Sequence, residues 1–196
     1  MGRSSPTLNL VVVTVAVYAL QAVWFSPSEL ALVWPVGERP WTLVTSVFAH
    51  SSTAHLVSNL LALAVIGLLL ERQTSPARFY AFFLGTGALS GTAEVAVAAA
   101  LGAAFPAVVG ASGAIFAMLG YLLSSNRLAD RTFRGVAIPA RAQLALFLVI
   151  AAVVTVFTLG RGRNVAIVAH FSGLLLGLLA GRSHLLRTSR AEPAPY

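Results

Sequence analysis

Apolar residues fall into six runs along this chain, at about 7–25, 56–70, 79–104, 107–123, 142–159 and 165–180. A span needs on the order of 20 apolar residues to cross ~30 Å of hydrocarbon, so the pattern predicts six transmembrane helices. The gaps leave no room for a second soluble domain, and one compact bundle is expected.

The polar punctuation sets the expected boundaries. The first helix runs from near Thr7 to Phe25, where Ser26-Pro27 stops it. It lacks an A-x-A cleavage site before Ser26-Pro27-Ser28 and is read as a retained helix rather than a signal peptide. The long segment "SPSELALVWPVGERPWTLVTSVFAHSSTAH" carries Trp34 and Trp41 among apolar residues, as a loop lying in the membrane interface would. The second helix is placed from about His55 to Glu71 and the third from about Pro76 to the region of Glu94. The small, apolar "VAVAAALGAAFPAVVG" then leads to the fourth, Ser112 to Ser124. An arginine-rich loop, "SSNRLADRTFRGVAIPAR", precedes the fifth, and "GRGRN" separates the fifth from the sixth. The chain therefore divides into a short arm (1–6), a six-helix core (7–181) and a basic, then Pro/Ala-rich tail (182–196) expected to be disordered.

Composition sharpens the class. Of the 196 residues 58% are hydrophobic and 10% charged, against roughly 25% charged in a soluble domain. With a mean hydropathy of +0.85, this is the composition of an all-α integral membrane protein. The absence of cysteine removes disulfides, thiolate metal sites and a cysteine nucleophile. The net charge of +7 comes from arginine and does not imply nucleic acid; its placement carries the information. With the N-terminus inside, ten arginines (3, 72, 78, 127, 131, 134, 141, 182, 187 and 190) are cytoplasmic and three (39, 161 and 163) lie outside. That asymmetry predicts a multi-pass protein with both termini cytoplasmic.

The candidate chemistry starts at Ser112. The fourth helix has only about a dozen residues and covers roughly 20 Å, so its outer end should lie below the membrane surface. Its unsatisfied amides and positive dipole end then need water or an anion where Ser112 stands. In "NVAIVAHFSGLLLGLLAG", His170 shares a face with Gly173, Gly177 and Gly181, which permit close helix approach. Ser112, Phe116 and Gly120 likewise share a face. If the two small-residue faces pack, His170 meets Ser112 near the outer ends and can take its proton during attack. His55 and Asn59, at i and i+4, project together at the start of the second helix. With the backbone N–H of Ser112 they could donate to the oxyanion of a tetrahedral intermediate. Each piece alone has a plainer reading: a serine bonding its own helix, a structural or proton-relaying histidine, glycines that only pack. A metal pair of His50 and His55 suits one helical face poorly, and no carboxylate is nearby.

"HSSTAHLVSN", "GASGAIFAMLGY" and "AHFSGLLLG" together resemble, in order, the three signatures of the rhomboid family of intramembrane serine proteases. The resemblance covers essentially the whole chain as a minimal six-helix bundle of rhomboid type, with a long interfacial loop between helices 1 and 2, and implies the bacterial or archaeal type in a prokaryotic plasma membrane with the active site opening outward. It implies a Ser-His dyad, Ser112 as nucleophile and His170 as general base, with His55, Asn59 and the Ser112 amide as the oxyanion hole. Gly110, Gly113, Gly173 and Gly177 belong to the motifs, and His50 is implied to pack the outer loop. Trp41 sits where the family often has Trp-Arg, with Thr42 in place of the arginine. Phe116 stands where some members have tyrosine, and Glu71-Arg72 is implied to form a cytoplasmic ion pair. The implied partners are transmembrane protein substrates and the lipid bilayer, with no cofactor, metal or nucleic acid. The competing reading is a non-catalytic rhomboid-like chaperone or retrotranslocation factor; its usual hallmark is loss of the serine or histidine, and both are present. A transporter is disfavoured because no carboxylate sits mid-bilayer with the histidine. Glu94 is left over, as a hydrated outer residue or as a gating or substrate contact.

Overall fold

The computed structural model describes residues 4–125, 140–159 and 166–187. Arg3, Arg127, Arg131, Arg134, Arg161, Arg163, Arg190 and the end of the expected tail lie outside the described residues.

Helices dominate. Ser5 caps α1 (Pro6–Val23) by accepting from the Leu8 amide, with Pro6 pre-set for the first helical position. The connection that follows contains α2 (Pro27–Leu30), strand β1 (Leu32–Val33), a 3₁₀ turn at Val36–Glu38 and α3 (Thr42–Phe48). Beyond it come α4 (Thr53–Leu70), α5 (Pro76–Ala100), strand β2 (Ala107–Val108), α6 (Ser112–Ser125), α7 (Ala140–Leu159) and α8 (Ile167–Arg182). Among the described residues, Pro6–Val23, Thr53–Gln73 and Pro76–Ala100 are long and apolar enough to cross a membrane. The apolar helices α6 and α8 are shorter, at 14 and 16 residues. Val12, Leu61, Val65, Val149 and Val156 are each more than half exposed, as side chains facing hydrocarbon should be.

Three local features depart from the pattern-based expectation. The third helix continues past Glu94 to Ala100, because "VAVAAA" offers no breaker before Gly102, where φ is +89°. The interfacial connection holds a two-residue antiparallel ladder, Leu32 opposite Val108 and Val33 opposite Ala107, too short to show as a hydropathy pattern. Glu71 does not form a direct ion pair with Arg72. Its carboxylate accepts from the Ser5 hydroxyl at 2.7 Å and the Thr7 amide at 3.0 Å, tying the end of α4 to the start of α1.

The connection between α1 and α4 is held by short polar clasps. Thr42 Oγ1 donates to the Arg39 carbonyl at 2.6 Å, and Thr45 Oγ1 donates to that of Leu30 at 3.1 Å. Buried Thr42 thus ties the first turn of α3 back to the preceding loop.

The core is set by α6 and α8. Gly173 faces the Gly113 carbonyl, Gly177 faces that of Ala117, and Gly120 faces the Leu174 carbonyl, so an added Cβ would strike facing backbone at each position. Without side chains in the seam the helices reach the separation at which dispersion and polar contacts hold them together in lipid. Ser124 Oγ crosses it to the Leu178 carbonyl at 2.8 Å. Phe79, Phe83, Met118 and Tyr121 fill the α4–α5–α6 side, while Phe147 and Ala151 pack α7 onto Leu174 and Leu178. Beyond α8 the chain folds back: buried Leu186 donates its amide to Tyr121 Oη at 3.1 Å, and Arg187 donates to the Ser125 carbonyl at 2.7 Å.

The seam predicts a contrast between two glycines. Gly177→Val should lower the thermal unfolding midpoint in detergent, by the equivalent of about 1–3 kcal/mol for overpacking, or prevent folding. Gly85→Ala, where nothing lies within 4 Å of an added Cβ, should not. Equal midpoints would remove the seam as the basis of stability.

Candidate active site

The local sequence fixes where α6 starts. Gly110 adopts φ +122°, a conformation that side chains rarely take, and its amide donates to the Ser46 carbonyl of α3 at 2.8 Å. The chain then turns into the helix at Ser112, which is half-buried, and the Ile115 amide bonds back to the Ala111 carbonyl at 3.0 Å. Ser112 therefore stands at a helix N-terminus, where backbone amides lack intrahelical partners and the dipole is positive.

His170 is in the first turn of α8, opposite that start. Its ring stacks on Phe116 at a centroid distance of 4.3 Å and an interplanar angle of 14°. The residue after Ser112 touches the glycine one turn beyond His170, through the Gly113 carbonyl against Gly173. The α8 face packs through Gly173 and Gly177 as its spacing suggests, whereas on α6 the backbone contact runs through Gly113, Ala117 and Gly120 rather than through Ser112, Phe116 and Gly120. A crevice beside Ser112 is lined in part by Ser46, Ser90, Val108, Gly113 and Ala169.

The third cluster comes from the start of α4. Ser52 caps that helix by accepting from the His55 amide at 3.2 Å, and Ser51 Oγ lies 3.2 Å from His55 Nδ1. The His55 ring packs over Gly110, two residues before Ser112: a Cβ there would sit 2.7 Å from Cε1 and 2.9 Å from Nε2. Asn59, one turn deeper and buried, donates Nδ2 to the His55 carbonyl at 2.9 Å. One amide hydrogen is thus committed to its own helix, and the group carries a second.

His50 is 1% exposed in the turn before α4. Its backbone amide and carbonyl are bridged by the Gln21 side chain of α1, at 3.0 and 3.1 Å, and its Nδ1 lies 3.0 Å from the Phe48 carbonyl. Its ring meets His55 edge to face at 5.0 Å. Burial depresses its pKa to about 4 against the opposing pull of the Phe48 carbonyl, with the nearby His55 adding to the depression, so the ring is neutral near pH 7. Trp41 is 57% exposed at the head of α3.

Sequence reasoning missed Gln21 and left Glu94 open. Gln21 was legible only as a polar residue inside an apolar run. Glu94 is half-buried at the α5–α8 contact, and its Oε2 accepts from the Ala169 amide at 2.9 Å. No three His, Cys, Asp or Glu side chains come together as a possible metal-binding set among the described residues.

The arrangement has recognisable relatives. Residues 37–186 match the model of the Rhomboid domain. A protein named Rhomboid protease GlpG from Yersinia pestis (strain Pestoides F) is 27% identical over 178 residues, covering 88% of this chain and 60% of that protein. RHOMBOID-like protein 5 of Arabidopsis thaliana is 32% identical over 151 residues, 77% of this chain and 46% of that protein. The chain thus spans about half to three fifths of the length of these curated relatives. The family match takes in the starts of α4, α6 and α8 together, and this chain is an integral membrane protein of the rhomboid family.

Proposed function

We propose that this chain is an intramembrane serine endopeptidase with six membrane spans, which cleaves transmembrane proteins near the outer membrane boundary. The observation that carries the reading is the seam itself: Gly113 against Gly173 and Phe116 against His170 bring the segments holding serine and histidine together. In this mechanism Ser112 Oγ attacks the scissile carbonyl carbon while His170 accepts its proton. The tetrahedral oxyanion takes hydrogen bonds from the Ser112 amide, His55 and the second Asn59 hydrogen. Collapse breaks the C–N bond, and the leaving amine receives the proton from His170. Water then repeats the sequence on the acyl-enzyme and frees Ser112. Phe116 steadies the imidazole by ring stacking alone, without a hydroxyl.

Depth defines the substrate. At 1.5 Å per residue the 14 residues of α6 cover about 21 Å, short of the ~30 Å hydrocarbon, so Ser112 belongs beneath the surface. A substrate helix must unwind there to present an extended carbonyl, which favours small residues at the cut and helix breakers beyond it.

Three tests follow from these roles. Ser112→Ala and His170→Ala should each abolish cleavage of a model transmembrane substrate by purified protein, and a fluorophosphonate should label wild type at Ser112 but label His170→Ala far more slowly. Retained turnover in Ser112→Ala would end the assignment. Asn59→Ala should lose up to about 10²–10³ in kcat, less if the remaining donors compensate; a wild-type rate from the His55→Ala/Asn59→Ala pair would remove both from the oxyanion site. For orientation, single cysteines at the exposed Ser51 and Ser183 should be labelled from opposite sides of the membrane, with Ser51 outside. Labelling from one side alone would refute the proposed topology.

A further inference from the structure

Helix α5 reaches both halves of the proposed dyad through side chains one turn apart. Ser90 lies against Gly113, the residue after Ser112, so closely that a Cβ there would strike its hydroxyl. Glu94, four residues on and on the same face, places Oε2 2.9 Å from the amide of Ala169, the residue before His170. The first turn of α8 needs that acceptor. Its N-cap is Ala166, which offers no side-chain oxygen and makes no capping bond. Among the described residues, the first amide to close a bond along this helix is that of His170, to the Ala166 carbonyl at 3.0 Å. The Ala169 amide comes one residue earlier, in the first turn, and among the described residues its acceptor is the Glu94 carboxylate. Beneath a membrane surface such a donor is costly to leave unpaired, and a carboxylate is a strong acceptor that also complements the positive end of the helix.

We infer that Glu94 is a positioning residue: by holding the amide next to His170, it fixes the rotation and rise of the turn that presents the imidazole to Ser112. The inference rests on the dyad reading above. The Gly113–Gly173 contact sets how close the helices come, and Phe116 supports one face of the ring. Neither fixes the end of α8, which Glu94 does from α5. The carboxylate is spent on backbone and does not line the crevice beside Ser112, so its loss acts on the chemical step rather than on substrate capture.

The test is kinetic, with Glu94→Ala, Glu94→Asp and Glu94→Gln purified in detergent and corrected for folded fraction. Misplacing a catalytic group by about 1 Å can cost on the order of 100-fold, so Glu94→Ala should lose about 10- to 100-fold in kcat with KM for a transmembrane substrate unchanged. Fluorophosphonate labelling of Ser112 should slow by a similar factor. Glu94→Gln, which keeps an acceptor of the same reach, should return to within about threefold of wild type. In a His170→Ala background, Glu94→Ala should slow labelling no further, because both changes act through one imidazole. If Glu94→Ala does not fold, Glu94→Asp, one methylene too short, takes its place in every measurement. Wild-type labelling in the folded variant, a raised KM with unchanged kcat, additive slowing with His170→Ala, or a Glu94→Gln as slow as the truncation would each overturn the inference. Failure of the dyad reading is distinguishable: His170→Ala by itself would then label at the wild-type rate.

Discussion

The backbones of α6 and α8 touch without intervening side chains, and the rest of the molecule is arranged around that contact. In water, helices associate because they hide apolar surface; in lipid that gain is absent, and attraction depends on close atomic fit and on polar groups crossing the seam. Gly173 and Gly177 put facing carbonyls where a side chain would be, and Ser124 adds a hydrogen bond between the helices. The same contact sets the relative depth of the two helix starts, and Ser112 and His170 both sit at those starts. The geometry of the proposed dyad and the main packing interaction are therefore one feature. A change that loosened the seam would act on stability and on chemistry together.

Few charges are available in so apolar a chain, and they are used with economy. Three of the five glutamates accept hydrogen bonds from backbone amides at helix starts: Glu29 from Ser26 at α2, Glu71 from Thr7 at α1, and Glu94 from Ala169 at α8. The first is local. The Ser26 amide and hydroxyl hold the Glu29 carboxyl below its usual range, with Arg39 adding to the effect. The other two reach across the bundle, from a different helix, to amides whose own caps are absent or shared. Each therefore does two things, satisfying donors that lipid cannot and joining helices distant in sequence.

The connection between α1 and α4 solves a related problem with irregular backbone. Its carbonyls and amides are paired by threonine hydroxyls, by the ladder of Leu32 with Val108, and by the bond from Gly110 to Ser46. Buried His50, clamped by Gln21 and pressed against His55, joins this layer to the first turn of α4. Because His55 then packs over Gly110, the connection borders the approach to Ser112 and is part of the site's wall.

Much of this was legible before any coordinates, for a physical reason. Hydrocarbon imposes a one-dimensional rule: enough consecutive apolar residues make a helix, and Ser, Pro and Gly mark its ends. The starts of α5 at Pro76 and α6 at Ser112 fall where that rule puts them. Glycine spacing on one face of α8 also named a surface that packs, because glycine allows backbone contact at regular intervals. Periodicity does not, however, rank contacts between residues far apart in sequence. Nothing in the run "GTAEVAVAAA" tells whether Glu94 faces water or the end of a helix 75 residues away, and a pattern of spans does not pair Glu71 with Ser5 rather than with its neighbour Arg72. Where a helix starts and which residue types each motif carries are properties of short stretches, which the sequence determined by itself. The partner chosen by each isolated polar group depends on which helix ends are brought side by side, and only the tertiary structure decided that.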